Sequence, residues 1–146
     1  MAQAPRIVLT SGCFDLFHAG HLAYLEAARA FAPKFGDELV VSVTSDEYVR
    51  RRKGPLRPLF PLIERRNMLS ALSIVDRVVT SDADDNVDVI KRVRPTAYCK
   101  GFDYIEPDPT GRLDLERAAV EALGGEVIIV DPWPRYSSTS IMKALA

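Results

Sequence analysis

The two histidines of the chain lie three residues apart, in a stretch that could bind a phosphate group. His18 and His21 fall in "SGCFDLFHAGH" (11–21), with Gly20 between them. If a helix begins here, both imidazoles point the same way, and the free N–H groups and dipole of the helix start favour an anion. Gly20 leaves room for a ligand near the backbone, and Gly12 lets the chain turn. The spacing therefore predicts a phosphate site in which both imidazoles hydrogen-bond to phosphate and stabilise charge gained in a transition state.

Two other interpretations of the histidine pair stay open at this point. One core histidine and one capping histidine would give the same pattern, and this is the commoner meaning of an isolated H-x-x-H. A zinc site is the second alternative, because histidine is a frequent zinc ligand. No third ligand with convincing spacing accompanies His18 and His21, so we predict no metal site made of protein ligands.

Short apolar runs alternate with amphipathic segments, and this alternation predicts the fold. Strands are expected at 6–10, 38–44, 76–80, 96–100 and 126–130, and helices at 21–32, 45–53, 62–73, 86–94, 112–125 and 138–146. Apolar strands alternating with helices indicate a parallel sheet that is covered on both faces. We therefore predict an α/β fold: a single Rossmann-like, doubly wound domain over residues 1–146, with a five-stranded parallel sheet and helices on both faces.

Ligands of such folds bind at the carboxyl ends of the strands, so the loops at 11–21, 45–61, 100–111 and 131–138 should share one rim. Lys53 and Arg57 lie on a loop rich in glycine and proline at this rim. Two cations there suit a polyphosphate, although 50–53 also reads as a solvated basic run. Ser138 and Thr139 open the last helix, where they either cap it or hold phosphates on free N–H groups.

Composition narrows the class of partner and the compartment. Hydrophobic residues make up 47% and charged residues 27% of the chain, which is ordinary for a globular protein, and the net charge of −1 gives no reason to expect nucleic acid. Cys13 and Cys99 have no C-x-x-C spacing, so a reducing, cytoplasmic compartment is expected. A signal-peptide pattern is absent, and no apolar run approaches the roughly 20 residues of a membrane span, so no membrane partner is expected.

Several motifs resemble those of one enzyme family. "GCFDLFHAGH" (12–21) resembles the G-x-F-D-x-x-H-x-G-H signature of the cytidylyltransferase-like nucleotidyltransferases, with all six fixed positions present. "RRKGPLRP" (51–58) is similar to the K-G-x-x-R-P loop of its sugar-phosphate branch, and "IERRNMLSALSIVDRVV" (63–79) to its E-x-R helix and following strand. "CKGFDY" (99–104) resembles its K-G-x-D-Y segment, and "GGEVIIV" and "SSTSIMKAL" its last strand and helix start. The most similar branch is the heptose-1-phosphate adenylyltransferase domain, followed by the glycerol-3-phosphate cytidylyltransferases.

The resemblance implies a reaction and a set of site residues. A nucleoside triphosphate, with ATP favoured, reacts with a phosphorylated sugar or polyol such as heptose 1-phosphate, and pyrophosphate leaves. Mg²⁺ is expected to bind mainly through the nucleotide phosphates, and the family implies a homodimer. The implied catalytic residues are His18, His21 and Lys53. The implied nucleotide-binding residues are Gly12, Cys13, Phe14, Asp15, Gly20, Arg57, Arg66, Lys100, Gly101, Asp103, Ser138 and Thr139, and the substrate-binding residues are Asp103, Tyr104 and Trp133.

Individual positions and departures from the family keep alternatives open. Of the adjacent Arg65 and Arg66, the pattern selects Arg66 to face the site, with an ion pair to Glu64 or Asp76 as the alternative. The chain departs from the family at three places: the extra residues at 31–36, the proline-rich loop at 104–112 and the segment "PRYSSTS" (134–140). These departures leave open the identity of the acceptor substrate and of the nucleotide base. The alternative functions are a CTP-dependent enzyme acting on glycerol 3-phosphate or another polyol phosphate, and a nucleotide-binding module without turnover.

Overall fold

The computed structural model describes residues 3–101 and 110–146, and this part of the chain forms a parallel sheet flanked by helices. Its strands are β1 (Ile7–Gly12), β2 (Glu38–Thr44), β3 (Arg77–Ser81), β4 (Ala97–Gly101) and β5 (Glu126–Val130). Its helices are α1 (Ala19–Arg29), α2 (Asp46–Lys53), α3 (Leu62–Ser70), α4 (Val87–Val93), α5 (Arg112–Ala122) and α6 (Ser138–Leu145). The predicted α/β fold with five parallel strands is confirmed.

The strand order β3-β2-β1-β4-β5 creates one topological switch point. From β1 the chain first builds outward through β2 and β3, and later returns to place β4 on the other side of β1. The crossover connections therefore diverge between β1 and β4, which leaves a crevice at their carboxyl ends. Gly12 and Gly101 are the last residues of these two strands.

Helices cover both faces of the sheet, as the uniformly apolar strands predict. On one face, Leu25 and Ala28 of α1 and Leu69 of α3 pack with alternate residues of the strands. On the other face, Ile90 of α4 and Val120 of α5 complete a second apolar cluster. Among the described helices the longest have 11 residues, and none is long and apolar enough to cross a membrane.

The observed element boundaries differ from the predicted ones by a few residues, and two of the differences matter for the site. β1 continues through Ser11 and Gly12, because both pair with β2, opposite Ser42 and Val43. α1 begins at Ala19 rather than at residue 21, because the His18 side chain caps it. The apolar spacing of 62–73 also predicts that Met68 faces the core, but its side chain is exposed on α3.

Candidate active site

A cavity of about 480 Å³ opens at the carboxyl ends of β1 and β4, between the start of α1 and the segment that precedes α6. This is the rim that the predicted fold assigns to ligands. Most of the residues expected at the site contribute to its wall. They are Gly12, Cys13, Phe14, Asp15, His18, Gly20, His21, Lys53, Gly101 and Ser138.

The two histidine rings lie stacked against each other at the start of α1. Their centroids are 3.7 Å apart and their planes differ by 19°. His18 Nδ1 accepts hydrogen bonds from the backbone N–H groups of Gly20 (3.0 Å) and His21 (3.3 Å), while His21 Nδ1 accepts from the N–H of His18 (3.3 Å). This reciprocal arrangement is a capping box made of imidazoles. It leaves the Nε2 edge of each ring without a role in holding the helix.

The hydrogen bonds also fix the protonation state of both rings. Because each Nδ1 accepts from an N–H, each ring carries its hydrogen on Nε2 and is a neutral donor there. Burial lowers the pKa of His18, and burial together with the nearby His18 and Lys53 lowers the pKa of His21 to about 3. In the described part of the chain, the buried Nε2 of His18 has no hydrogen-bond partner. A ligand phosphate oxygen at the cavity would supply one.

The loop between β1 and α1 is held in an uncommon backbone conformation. Phe14 and Leu16 have φ values of 51° and 48°, a left-handed region that costs non-glycine residues about 1–3 kcal/mol each. Asp15, between them, is buried and accepts hydrogen bonds from Arg57 Nε (2.9 Å) and from the backbone N–H groups of Leu59 (2.8 Å) and Phe60 (3.1 Å). The strain is therefore offset by contacts to a second loop.

Gly20 is required by packing as well as by the cavity that it lines. A Cβ atom at this position would lie 2.9 Å from the His18 ring and 3.0 Å from the backbone nitrogen of Tyr136. The sequence suggested that Gly20 lets a ligand approach the backbone; the structure shows that the chain itself approaches at this point. The close contact brings the segment before α6 against the histidine pair.

Arg57 and Thr139 lie beside the site rather than on the cavity wall. The Arg57 side chain is buried, its Nε bonds to Asp15, and its Nη1 lies 3.5 Å from Thr139 Oγ1. Its Nη2 is buried and has no partner in the described residues. Ser138 does line the cavity, and its hydroxyl donates to the backbone carbonyl of Asp15. The cap of α6 is Ser137, whose Oγ accepts from the N–H of Ser140 at 3.0 Å.

The expected direction of Arg66 is wrong, because the phase of α3 turns Arg65 inward instead. Arg66 bonds to the hydroxyl of Thr80 and the carbonyl of Val78 on β3, away from the cavity. Arg65 is buried, and its guanidinium bonds to main-chain carbonyls and to a carboxylate that belong to three other segments. Its partners are Phe60 O (3.0 Å), Cys13 O (2.8 Å), Thr44 O (2.7 Å) and Asp46 Oδ1 (2.6 Å).

Lys100 is not on the main cavity wall, contrary to its expected role in binding nucleotide. It is buried, and its Nζ donates to Ser11 Oγ at 2.9 Å. Burial lowers its pKa to about 8. The alternation of side chains along β4 explains this placement, because Tyr98 and Lys100 point to one face of the sheet while Cys99 points to the other.

Of the three expected substrate residues, the structure describes only Trp133, and it does not lie at the site. Trp133 is exposed and does not line the cavity; the guanidinium of Arg135 lies 4.7 Å from its ring centroid. Asp103 and Tyr104 lie outside the described residues. Arg135 and Tyr136 line the cavity where Trp133 was expected.

Several wall residues were not predicted from the sequence. Arg52 and Arg112 are the most informative, because they are cations at a site that should bind anions. Their signal in the sequence was weak: Arg52 stands in a run of four basic residues, and Arg112 opens a helix. Others on the wall are Ser11, Tyr24, Asp131, Pro132, Pro134 and Ser137.

Within residues 3–101 and 110–146, no three or more His, Cys, Asp or Glu side chains are arranged to hold a metal ion. Two of the described residues on the cavity wall are carboxylates, and Asp131 pairs with Arg135. The other is Asp15, whose oxygens are occupied by Arg57 and two backbone N–H groups. Although its burial favours the neutral acid, these hydrogen bonds and the charge of Arg57 lower its pKa.

Comparison with known proteins agrees with this geometry. The HldE proteins of Methylobacillus flagellatus and Methylococcus capsulatus, both described as bifunctional, are 42% and 46% identical over 144 and 140 residues, or 99% and 96% of this chain. The chain spans only 28% of the length of each. The crystal structure of a lipopolysaccharide core biosynthesis protein from Thermoplasma volcanium superposes with a TM-score of 0.66 at 30% identity, covering 90% of this chain and 98% of that one.

The family model that describes cytidylyltransferase-like proteins matches residues 9–144. This range includes most of β1, both histidines, the Lys53 end of α2 and the start of α6, which are parts that build the cavity wall. The chain belongs to the cytidylyltransferase-like family of nucleotidyltransferases.

Proposed function

We propose that the chain transfers a nucleotidyl group, with ATP as the favoured donor, to a sugar phosphate of the heptose 1-phosphate type, with release of pyrophosphate. The observation that carries this proposal is the stacked His18–His21 pair, whose Nδ1 atoms are committed to the helix while the rings line the cavity. Two neutral Nε2–H donors at a helix start suit a phosphorus centre that gains charge.

The reaction that fits this site is an in-line displacement at the α-phosphorus of the nucleotide. A phosphate oxygen of the acceptor forms the new bond to phosphorus, and the bond to the pyrophosphate oxygen breaks. The attacking oxygen is already an anion at pH 7, so the site must position two anions and neutralise their charge rather than supply a strong base. His18 and His21 would hold the α-phosphate, and Lys53 with the start of α6 would hold the departing pyrophosphate.

Mg²⁺ fits this proposal as part of the nucleotide complex. Of the described carboxylates on the cavity wall, Asp15 is occupied by Arg57 and the loop backbone, and Asp131 pairs with Arg135. The ion would therefore be held mainly by phosphate oxygens and water, as Mg²⁺ often is. When bound, it would neutralise part of the charge on the phosphates.

The similarity to HldE proteins and to a lipopolysaccharide core biosynthesis protein favours a sugar phosphate over a polyol phosphate as acceptor. We infer cytoplasmic activity from the two free cysteines, which suit a reducing compartment. We also infer that the chain does not bind nucleic acid, since its net charge is −1. The resemblance to the family is the reason to infer a homodimer.

The test is pyrophosphate release from a grid of donors and acceptors: ATP and CTP, each with heptose 1-phosphate and with glycerol 3-phosphate. We expect ATP with heptose 1-phosphate to give the highest kcat/KM, and His21→Gln to abolish turnover on the same plate. Preference for CTP with glycerol 3-phosphate would replace the proposed substrates. Nucleotide binding in calorimetry without turnover of any acceptor would reduce the chain to a binding module.

A further inference from the structure

The cavity has a second basic wall, on the side of the β1 and β4 ends away from the histidines. Arg52, in the last turn of α2, and Arg112, the first residue of α5, both line it. Their side chains are only 18% and 21% exposed. The strand ends Gly12 and Gly101 line the same cavity, and α5 packs on the opposite face of the sheet from α1, the helix that the histidines begin. At Gly101 an added Cβ would meet no described residue within 4 Å, so the described part of the chain leaves the cavity floor open at this strand end.

Asp84, in the loop after β3, braces the two arginines. Arg112 Nη1 donates to Asp84 Oδ1 at 3.3 Å, Arg52 Nε lies 3.6 Å from the same oxygen, and Arg52 also donates to the Asp84 carbonyl. Three elements that are distant in sequence thus converge at one edge of the cavity. Each guanidinium has five N–H donors in a planar fork, and the contacts with Asp84 engage only part of each fork. The forks are oriented, which is the property that favours recognition of a phosphate.

A polar recess of about 10 Å³ opens behind the arginines and is also lined by Ser11, Lys100 and Glu116. This volume suits about one water molecule or one ligand hydroxyl. The buried groups around it are organised: Lys100 donates to Ser11, and Glu116 accepts from the backbone N–H of Asn86 at 2.8 Å. A recess with donors and acceptors of fixed direction, next to a pair of arginines, suits a ligand that carries both hydroxyl groups and a phosphate.

In-line displacement places the attacking and leaving groups on opposite sides of the phosphorus. Lys53, although it follows Arg52 in α2, acts on the pKa of His21 and so belongs to the histidine side of the cavity. If that side and the start of α6 hold the departing pyrophosphate, the attacking phosphate must enter from the opposite side of the α-phosphorus, where Arg52 and Arg112 are the available cations. Resting on the function proposed above, we propose that Arg52 and Arg112 form the acceptor subsite: their forks hold the phosphate of a sugar phosphate, and the recess behind them receives a sugar hydroxyl.

The test separates the two substrates by their kinetic constants. Arg52→Gln and Arg112→Gln should each lower kcat/KM for the sugar phosphate about 10- to 100-fold, the loss expected when a charge-assisted hydrogen bond is removed. The KM for ATP should stay within twofold. Arg112→Lys keeps the charge but not the planar fork, so its kcat/KM for the sugar phosphate should lie between those of wild type and Arg112→Gln. Arg51→Gln is the matched control, because Arg51 lies on the same helix but is 59% exposed and pairs with Glu47; its constants should not change.

A rise in the KM for ATP with an unchanged KM for the acceptor would overturn the subsite and assign the arginines to the nucleotide. A binding arm keeps this outcome separate from failure of the proposed function. Heptose 1-phosphate is titrated calorimetrically into the protein loaded with a non-hydrolysable ATP analogue, with wild type and Arg112→Gln compared. If heptose 1-phosphate binds in a way that depends on Arg112 but no turnover occurs, the proposed function is contradicted and the acceptor subsite is supported. If turnover is the same in wild type, Arg52→Gln and Arg112→Gln, the acceptor subsite is contradicted and the proposed function is supported.

Discussion

At the scale of single residues, His18 has two tasks that the sequence presented as alternatives. Its Nδ1 caps α1 through the N–H groups of Gly20 and His21, while the opposite edge of the ring is buried at the cavity without a partner in the described residues. The capping and phosphate-binding interpretations are therefore compatible. An imidazole has two nitrogens on opposite edges, so one side chain can satisfy the backbone and still offer a donor.

A pair of substitutions should separate these two tasks. His18→Asn keeps a side-chain oxygen for the cap but removes the outer donor, whereas His18→Ala removes both. Each variant should lose about 10²–10³ in kcat, the typical effect of deleting one transition-state donor. Only His18→Ala should also lose about 1 kcal/mol of unfolding free energy, measured in urea, because a cap is lost. If His18→Asn retained full turnover, the ring would be a structural cap and no more.

Side-chain direction was the least predictable property at this scale. The sequence identified an arginine pair on α3 but not which member faces inward, because Arg65 and Arg66 differ by about 100° around a helix whose phase is set by packing. Arg65 lies inward and binds main-chain carbonyls that the sequence could not bring together. The role of Arg112 was missed for the same reason: its contact with Asp84 joins elements that are 28 residues apart.

At the scale of elements, the Asp15–Arg57 pair joins the β1–α1 loop to the loop before α3. Asp15 is almost completely buried and also accepts from Leu59 and Phe60, while Ser138 of α6 bonds to its carbonyl. The side chain and the backbone carbonyl of this one residue thus join three separate segments. The sequence predicted the elements themselves well, because apolar alternation marks buried strands. It could not predict this clamp, which depends on contacts between loops.

Asp15→Asn should destabilise the fold by about 3–5 kcal/mol, because it leaves the buried Arg57 without a counter-charge. The double variant Asp15→Asn/Arg57→Met should recover part of this loss, and Asp82→Asn, which changes an exposed carboxylate, should cost little. The pKa of Asp15 is lowered in the folded state. The stability that the pair contributes is therefore present above the unfolded value near 3.8 and is lost as pH falls through the folded pKa. Urea unfolding at pH 7 and at pH 3 checks this: the penalty of Asp15→Asn should shrink at the lower pH.

At the scale of the whole molecule, the sheet order explains where the site lies. The sequence predicted a shared rim but not the order β3-β2-β1-β4-β5, since the identity of neighbouring strands depends on long-range pairing. With β1 and β4 adjacent, the histidine loop, the Lys53 helix end and the start of α6 meet at one crevice. The site is thus a consequence of topology, and its residues come from five separate stretches of chain.

The surface of the molecule carries a concentration of apolar side chains that supports the inferred homodimer. Five large apolar residues with exposures of 43–86% fall between positions 56 and 68, in the loop before α3 and on α3 itself: Leu56, Leu59, Phe60, Ile63 and Met68. Exposed apolar groups that cluster in this way mark interaction surfaces. The same segment follows the Lys53 loop and carries the N–H groups that hold Asp15, so a second copy bound there would lie close to the site.

Ile63→Asp should therefore convert the dimer to a monomer. Light scattering coupled to size exclusion should give wild type twice the chain mass of 16.2 kDa, and the variant the mass of one chain. Leu115→Asp is the matched control, because Leu115 is exposed to nearly the same extent, 58% against 62%, but lies on α5, which packs on the opposite face of the sheet from α3. It should remain dimeric. A monomeric wild type would contradict the homodimer, and a dimer that survives Ile63→Asp but not Leu115→Asp would move the interface to the α5 face. A charge buried without a partner at a subunit contact costs several kcal/mol, so the shift in mass should be complete at micromolar protein.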